Sequence, residues 1–188
     1  MSQGLDVVDG ALTGEMLLGR VRDLIRDVPD FPRPGVAFKD ITPLLADAEV
    51  FAAVIAEIAA QVDGPVDLVA GTEARGFILA APIALALGAG FIPVRKAGKL
   101  PGPTASQDYE LEYGTATVEI HPSTVPAGAR VLVVDDVLAT GGTAAATVRL
   151  IDECGAQVVG LSFLVELGFL GGRAQLGGHR VRSLLAIA

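Results

Sequence analysis

The sequence predicts an α/β fold in which helices flank a central, mostly parallel β-sheet. Strand-like and helical patterns alternate through the middle of the 188-residue chain, as they do in successive βαβ units. Residues 131–134, Val-Leu-Val-Val, form a continuous apolar run that is typical of a strand buried on both faces. The composition is aliphatic and rich in alanine, with 5% aromatic residues, which suits small-residue helices packed on such a sheet. The length favours a single domain that covers residues 1–188.

The first third of the chain predicts two helices with an extended segment between them. Apolar residues recur at helical spacing across residues 15–28. Three prolines then exclude a helix and favour an extended chain over residues 29–38. A second, amphipathic helix is predicted over residues 47–62, with Asp47 as its N-cap. Residues 67–70 have the apolar character of a short strand.

The middle third predicts a helix, a strand, a long loop and a pair of strand-like segments. The helix is expected to end near Gly88, and the next strand begins at Phe91. Residues 96–108 are rich in Gly, Pro, Lys and Ser and lack apolar periodicity. They predict a loop longer than most connections in a compact domain, which indicates a function for it. Residues 109–120 have strand-like character on both sides of a turn at Gly114.

The last third continues the alternation of strand and helix. The strand that contains residues 131–134 precedes a helix that is expected to end near residue 153. Another apolar strand is predicted at residues 157–165, a weak helix at residues 168–176, and a last strand at residues 181–187.

The charge balance restricts the classes of ligand. The formal net charge of −8 argues against general binding to nucleic acid or to anionic membranes. An anionic small molecule would therefore need a local concentration of basic residues. Arg95, Lys96 and Lys99 form the densest cluster, and Arg75 is the residue expected to join it.

Cysteine and histidine usage favours neither a disulfide framework nor a metal centre. The single cysteine, Cys154, precedes a glycine at an expected helix end and is interpreted as a packed apolar residue. His121 and His179 have no metal-ligand spacing around them. Residues 1–12 are acidic and lack the basic start of a secretory leader, so a cytoplasmic location is expected.

The most informative chemistry follows the strand at residues 131–134. Asp135 and Asp136 stand at its carboxyl end, and residues 139–143, Ala-Thr-Gly-Gly-Thr, lead into the next helix. Carboxylates accept hydrogen bonds from hydroxyl groups, while glycines and a helix N-terminus present backbone N–H groups to an anion. In an open parallel sheet, ligands bind where strands end and helices begin. The pattern indicates a ligand with a phosphate and a nearby diol, such as a ribose 5-phosphate. The alternative is that the aspartates only cap the following helix.

This run resembles the phosphoribosyl-diphosphate signature of the type I phosphoribosyltransferases. Further segments, in the same order, resemble the adenine phosphoribosyltransferases: residues 30–43 (Asp-Phe-Pro-Arg-Pro-Gly-Val-Ala-Phe-Lys-Asp-Ile-Thr-Pro), residues 71–77 (Gly-Thr-Glu-Ala-Arg-Gly-Phe), residues 95–102 (Arg-Lys-Ala-Gly-Lys-Leu-Pro-Gly) and residues 109–114 (Tyr-Glu-Leu-Glu-Tyr-Gly). The resemblance extends from about residue 28 to residue 167. It implies the type I phosphoribosyltransferase fold, with an N-terminal hood in residues 1–45 and a mobile lid in residues 96–114.

The resemblance implies a role for each matching residue in holding phosphoribosyl diphosphate. Asp135 and Asp136 would bind the ribose hydroxyls. The 5-phosphate would lie on the loop of Ala139, Thr140, Gly141, Gly142 and Thr143. The diphosphate would be held by Glu73, Ala74, Arg75, Lys96 and Lys99, the first two through their backbone. The family also implies a cis peptide bond at Glu73–Ala74. Arg95 has an alternative interpretation as a strand-end residue that is paired with an acid.

The resemblance also implies residues for the base and for catalysis. Phe38 would stack on adenine and Val137 would cover its other face, while the backbone around Ala37 and Lys39 would read its 6-amino group. Glu112 would handle the proton, and Tyr113 would help to close the lid. Phe38 could instead be a core residue, and Glu112 could be an exposed strand residue.

The activity so implied is the transfer of a 5-phosphoribosyl group from phosphoribosyl diphosphate to N9 of adenine, which gives AMP and diphosphate in purine salvage. Mg²⁺ is expected with the substrate, held by substrate and water oxygens, since no cluster in the sequence offers a protein-only site. A homodimer is expected, with no nucleic-acid or membrane partner. Two alternatives remain: a phosphoribosyltransferase for xanthine or hypoxanthine, and a non-catalytic ligand-sensing regulator of the same fold.

Overall fold

A computed structural model describes residues 12–110 and 114–188 of the chain. These residues belong to two compact units, Met1–Glu57 and Ile58–Ala188. Glu112 and Tyr113, the two proposed catalytic residues, lie outside the described residues.

The N-terminal unit contains helix α1 (Gly14–Leu24), strands β1 (Arg26–Val28) and β2 (Phe38–Asp40), and the short helix α2 (Thr42–Ala46). Helix α3 (Ala48–Ala60) begins in this unit. The prediction of one helix over residues 15–28 is wrong at its end. The chain becomes extended at Ile25, because residues 26–28 form an antiparallel ladder with residues 38–40.

The N-cap prediction for α3 is confirmed. Asp47 Oδ1 accepts a hydrogen bond of 3.0 Å from the backbone N–H of Val50, which is otherwise an orphan donor in the first turn. Asp47 Oδ2 also pairs with Arg20 of α1 at 2.8 Å. The backbone hydrogen bond from Val50 lowers the pKa of Asp47 most, burial opposes that, and the Arg20 guanidinium lowers it further. The cap is therefore kept ionised.

The C-terminal unit is built on a sheet that, within the described residues, has seven strands in the order β5-β6-β4-β3-β7-β8-β9. The strands are β3 (Leu68–Thr72), β4 (Gly90–Lys96), β5 (Ala105–Glu110), β6 (Thr115–Ile120), β7 (Arg130–Leu138), β8 (Gln157–Leu167) and β9 (Val181–Ile187). The pairs β4-β3, β3-β7, β7-β8 and β8-β9 are parallel, and β6 runs antiparallel to both β4 and β5. The predicted α/β fold with a mostly parallel sheet is confirmed.

Two helices make the crossovers that parallel strands require. Helix α4 (Arg75–Leu87) connects β3 to β4, and helix α5 (Gly142–Glu153) connects β7 to β8. Helix α4 ends as predicted at Gly88, whose φ of 66° is the left-handed conformation that favours glycine at a helix end. A methyl group on Gly71 of β3 would lie 2.7 Å from Ala80 Cβ, so this glycine allows α4 to pack closely on the sheet.

Two sequence predictions for this unit need correction. The predicted loop over residues 96–108 is too long at its C-terminal end. Strand β5 already begins at Ala105, which pairs with Ile120 of β6. The weak helix predicted at residues 168–176 is instead two short 3-10 helices, Gly168–Leu170 and Gly172–Leu176. Gly171 lies between them with a φ of 66°, which interrupts a continuous helix.

The core of this unit is formed by aliphatic side chains from the inner strands and from α5. It includes Val131 and Val133 of β7, Leu150 and Ile151 of α5, and Phe163 of β8, each at most 1% exposed. No helix in the described part of the chain has the length and apolar character needed to cross a membrane. The core fixes β7, whose carboxyl end carries the predicted aspartate pair.

Candidate active site

The carboxyl ends of three neighbouring strands bring together segments that are far apart in the sequence. Strand β3 lies between β4 and β7 and is parallel to both, so all three end at the same edge of the sheet. The loop after β3 carries Glu73 and Ala74, the end of β4 carries Arg95 and Lys96, and the end of β7 carries the aspartates. This edge is where an open α/β sheet binds its ligands.

The aspartate pair lies in a buried environment at the end of β7. Asp136 is 5% exposed, and its Oδ2 lies 2.8 Å from Nε of Arg75, the first residue of α4. Burial raises the pKa of Asp135 well above its ordinary value, and the charge of Asp136 raises it further. Burial also raises the pKa of Asp136, which the Arg75 guanidinium opposes. Ionising both carboxylates therefore costs considerable free energy. Groups that donate hydrogen bonds to them would reduce that cost.

Two buried oxygens at this position are available to a ligand. Asp136 Oδ2 is ion-paired with Arg75 but makes no hydrogen bond of good geometry with any residue that the structure describes. Thr72 Oγ1, at the end of β3, also makes no hydrogen bond of good geometry with the described residues. It nevertheless lies close enough to Asp135 to lower the pKa of that carboxyl group. Buried polar atoms are nearly always hydrogen-bonded in folded proteins, so donor groups of a ligand would be stabilised beside these oxygens.

A glycine allows the start of α4 to lie against the aspartates. A methyl group on Gly76 would lie 2.8 Å from Asp135 Oδ1 and 2.9 Å from Thr72 Oγ1. No larger residue fits there without displacing these polar groups. Thr72 and Gly76 lie in the segment at residues 71–77, but no role was predicted for either of them from the sequence.

The glycine-rich loop at residues 139–143 connects β7 to α5 and lines an open depression. Gly141 has a φ of 86° and precedes the first residue of α5. The first N–H groups of a helix have no acceptor within it, and this helix has no acidic residue in its first turn. The depression is lined by the loop together with Asp135, Val137 and Phe163. It suits a phosphate next to hydroxyl groups.

Strand β5 approaches the same loop from the other side. A methyl group on Gly142 would lie 3.1 Å from the Glu110 carbonyl oxygen and 3.1 Å from Tyr109 Cδ2. Arg149 of α5 donates hydrogen bonds to the Gln107 side chain at 3.2 Å and to the Asp108 carbonyl at 3.1 Å. Hydrogen bonds therefore attach the described part of the predicted lid to α5. Glu110, which precedes Glu112 by two residues, lies beside the glycine-rich loop at residues 139–143.

The cationic residues at the end of β4 surround the Glu73 carboxylate. Lys99 Nζ lies 2.5 Å from Glu73 Oε1, and Arg95 Nε lies 3.2 Å from Oε2. The backbone N–H of Lys96 donates to the same oxygen at 3.1 Å, while the Lys96 side chain is exposed. The interpretation of Arg95 as a strand-end residue paired with an acid thus agrees with the structure.

This cluster controls the ionisation of Glu73. The side chain is only 9% exposed, and burial raises its pKa. The hydrogen bonds from Lys99, from the Lys96 backbone and from Arg95 outweigh burial and lower the pKa to about 2. Glu73 is therefore an anion at neutral pH that holds two cationic side chains at the sheet edge. The expected cis peptide bond at Glu73–Ala74 is confirmed.

The residues predicted to bind adenine lie in both units. Ala37, Phe38 and Lys39 belong to the N-terminal unit, where the Phe38 ring packs edge-to-face on Phe31 at 5.1 Å between ring centres. Lys39 pairs there with Asp27. Val137 belongs to the C-terminal unit, next to the aspartates. The assignment of these residues to adenine stays a prediction.

Comparison with known proteins agrees with this geometry. The chain matches the phosphoribosyl transferase domain family over residues 44–172. The adenine phosphoribosyltransferase of Acidothermus cellulolyticus is 61% identical over 164 residues, which are 87% of this chain and 93% of that relative. The crystal structure of adenine phosphoribosyltransferase from Thermoanaerobacter pseudethanolicus has a TM-score of 0.88 at 50% identity, covering 90% of this chain and 99% of that one. The Saccharomyces cerevisiae structure, complexed with D-2,5-dideoxy-2,5-imino-altritol 1,6-bisphosphate and adenine, has a TM-score of 0.86 at 38% identity, covering 89% and 98%.

The fold is that of a phosphoribosyltransferase. The family model covers more than half of the chain, and the relatives align over most of their own length. The chain belongs to the adenine phosphoribosyltransferase family.

Replacing Glu73 by Gln is expected to lower the free energy of unfolding by about 1–3 kcal/mol at pH 7, because hydrogen bonds to a charged group are lost. The pKa of Glu73 is lower in the folded protein than its usual value of 4.5, so its contribution is present above pH 4.5. It is lost as the pH falls toward 2. Urea unfolding of both proteins between pH 7 and pH 3 should therefore show a difference that shrinks below pH 4.5.

The matched control for this measurement is Asp152→Asn, which neutralises an exposed carboxylate on α5. It should change the unfolding free energy little at any of these pH values. A Glu73→Gln difference that stays constant down to pH 3 would contradict the ion-pair cluster.

Proposed function

We propose that this protein transfers the 5-phosphoribosyl group from phosphoribosyl diphosphate to N9 of adenine and releases AMP and diphosphate, in purine salvage. The observation that carries the proposal is the aspartate pair near the end of β7, half-buried Asp135 and buried Asp136, a few residues before the glycine-rich start of α5. These two features present acceptors for hydroxyl groups and N–H groups that can bind an anion. The 61% sequence identity to an adenine phosphoribosyltransferase supports adenine as the base.

In the proposed complex, the substrate is anchored by its sugar and its 5-phosphate. The ribose hydroxyls donate to Asp135 and Asp136, which lowers the cost of keeping these buried carboxylates ionised. The 5-phosphate accepts hydrogen bonds from the N–H groups and threonine hydroxyls of residues 139–143. Anchoring at two points fixes C1 of the ribose, and such fixed geometry is a large part of enzymatic rate enhancement.

The diphosphate is proposed to leave toward the cationic edge formed by the loop after β3 and the end of β4. Arg75, Lys96 and Lys99 supply positive charge, and the backbone of Glu73 and Ala74 supplies polar groups. The Lys99 side chain is 47% exposed while it pairs with Glu73, so a dissolved anion can approach it. Charge at this edge stabilises the negative charge that develops on the leaving group.

Phe38 is proposed to stack on the base, and the backbone around Ala37 and Lys39 is proposed to read its 6-amino group. A carbonyl oxygen accepts a hydrogen bond from an amino group and not from a 6-oxo group. A site built in this way discriminates strongly between adenine and hypoxanthine, because the wrong base leaves a buried polar group unpaired.

The chemical step is proposed to be completed from the lid. The bond between C1 and the diphosphate oxygen breaks with its electron pair leaving on diphosphate, and N9 of adenine forms the new bond to C1. The N9 proton passes to the Glu112 carboxylate, and Tyr113 helps to close the lid over the reacting groups. Glu112 follows Glu110 by two residues, and the Glu110 carbonyl lies beside Gly142 of the phosphate loop.

Mg²⁺ is proposed to accompany phosphoribosyl diphosphate. Carboxylate oxygens such as those of Asp135 and Asp136 are ligands that Mg²⁺ accepts, and the ion usually retains several waters and substrate oxygens. In the described part of the chain no group of three or more His, Cys, Asp or Glu residues could hold an ion alone. When bound, Mg²⁺ would neutralise part of the diphosphate charge. A cytoplasmic location is proposed, where a salvage enzyme meets both substrates.

The protein is further proposed to form a homodimer through the outer face of α4. Ile78 and Leu85 are seven residues apart on one side of this helix and are 43% and 82% exposed. Phe91 on β4, which packs edge-to-face on Phe77, is 37% exposed. Contiguous exposed apolar side chains are typical of an interaction surface.

Sedimentation equilibrium should give a mass of twice the 19.2 kDa of one chain, and Leu85→Glu should lower the measured mass toward that of one chain. An unchanged dimer in Leu85→Glu would move the interface elsewhere.

Turnover with each purine base tests the proposed activity. With phosphoribosyl diphosphate and Mg²⁺, adenine should yield AMP at a kcat/KM about 10⁴-fold above that of hypoxanthine, because of the unpaired polar group left by the wrong base. A chelator should suppress the reaction. Faster turnover of hypoxanthine than of adenine would contradict the proposal.

Glu112→Gln tests the assignment of the proton acceptor. The change should lower kcat by about 10²–10⁴-fold, the usual contribution of a positioned base, while the KM for phosphoribosyl diphosphate stays nearly constant. Glu110→Gln, whose side chain is exposed on β5, is the control and should retain the wild-type kcat. An unchanged kcat in Glu112→Gln would exclude Glu112 as the proton acceptor.

A further inference from the structure

The segment between β8 and β9 touches the glycine-rich loop at residues 139–143 through the backbone of Gly172. A methyl group on Gly172 would collide with the Ala139 carbonyl oxygen and would lie 2.9 Å from Gly141 N. Conversely, a methyl group on Gly141 would collide with the carbonyl oxygen of Gly172. The two glycines therefore allow the two backbones to lie in direct contact, and the position of Gly172 limits where residues 139–141 can go.

The next residue, Arg173, fixes this segment to the sheet. Its Nε donates to Glu166 Oε1 at 2.8 Å, its Nη2 pairs with Glu166 Oε2, and its Nη1 donates to the Val181 carbonyl at 2.8 Å. One guanidinium thus joins the end of β8 to the start of β9. Such a fork of parallel hydrogen bonds to a carboxylate gives orientation as well as energy.

The acceptor of this fork is itself held in place. Glu166 is 8% exposed and also accepts a hydrogen bond of 2.7 Å from Ser183 Oγ of β9. The Arg173 hydrogen bonds lower the pKa of Glu166 most, burial opposes them, and Ser183 lowers it further. The carboxylate is thus ionised and oriented by groups from two elements. None of these residues lines the depression at residues 139–143.

We propose that Arg173 is a positioning residue for the 5-phosphate site. By joining Glu166 and Val181 it keeps Gly172 against residues 139–141, and so it holds the N–H groups of the loop where a phosphate can accept from them. This inference rests on the proposed function for the identity of the phosphate that binds. A displacement of about 1 Å in such a loop is enough to reduce catalysis about 10²-fold.

The proposal distinguishes arginine from lysine at position 173. Lysine retains the charge but cannot make two parallel hydrogen bonds to Glu166 and a third to Val181. Arg173→Lys should therefore show part of the defect, and Arg173→Gln should show all of it. Arg180→Gln is the matched control, because Arg180 pairs with Asp63 on an exposed surface of the same unit.

The experiment measures steady-state kinetics and the calorimetric dissociation constant of ribose 5-phosphate. Arg173→Gln should raise the KM for phosphoribosyl diphosphate and this dissociation constant at least tenfold, while the KM for adenine stays within twofold. Arg180→Gln should match the wild type in all three. A loss of stability alone would not produce this split between the two substrates.

A second variant keeps the proposal testable if Arg173→Gln does not fold. Gly172→Ala leaves the ion pair intact but inserts a methyl group into the contact with Ala139, and it should give the same split. Wild-type binding of ribose 5-phosphate in either folded variant would overturn the inference, as would an equal rise in both KM values. A wild-type protein that makes no AMP would instead refute the proposed function, while the ribose 5-phosphate measurement would still decide the role of Arg173.

Discussion

The burial of two adjacent carboxylates at the end of β7 is the constraint on which the rest of the site depends. Placing both charges in a poorly hydrated position is costly, and the charge of Asp136 raises the cost of ionising Asp135 further. Arg75 offsets part of this cost from the first turn of α4, and it can do so because Gly76 leaves no side chain between the helix and Asp135. The remaining acceptor oxygens of the pair would accept hydrogen bonds from the hydroxyl groups of the proposed ribose.

Charge is divided between two neighbouring edges of the site. At the end of β7 the protein presents carboxylates and backbone N–H groups, which suit the sugar and its 5-phosphate. At the ends of β3 and β4 it presents Arg95 and Lys99, both held by the Glu73 anion. Although the net charge of the chain is −8, these two cations are fixed at the edge where the diphosphate is proposed to bind. The aspartates are proposed to hold the ribose, whereas Glu112 of the lid is proposed to accept the proton.

The sequence predicted those parts of the fold and site that depend on local patterns. The apolar run of β7, the aspartates after it and the glycines before α5 are contiguous, so their positions followed directly from strand and helix-start rules. The end of α4 at Gly88 was predicted for the same reason. The end of α1 was not, since β1 exists only through its pairing with β2, ten residues further on.

Contacts between distant residues account for what the sequence analysis missed. The strand character of residues 105–108 depends on pairing with β6, in a segment whose polar composition favours a loop. The ion pair between Glu73 and Lys99 joins residues 26 positions apart. The contact of Gly172 with Ala139 requires the whole of α5 and β8 to return the chain to the same edge. Such contacts leave no periodic signal, although two glycines in succession at residues 171 and 172 could have indicated a close backbone approach.

The central claim is that the aspartate pair binds the sugar hydroxyls, and calorimetric binding of two simple probes tests it most directly. Ribose 5-phosphate carries both the diol and the phosphate, whereas inorganic phosphate needs only the loop at residues 139–143. In the double variant Asp135→Asn, Asp136→Asn, the dissociation constant of ribose 5-phosphate should rise at least tenfold, because hydrogen bonds to charged acceptors are worth about 1.5–3 kcal/mol. That of inorganic phosphate should stay within about twofold of the wild type. Wild-type affinity for ribose 5-phosphate in this variant would contradict the account.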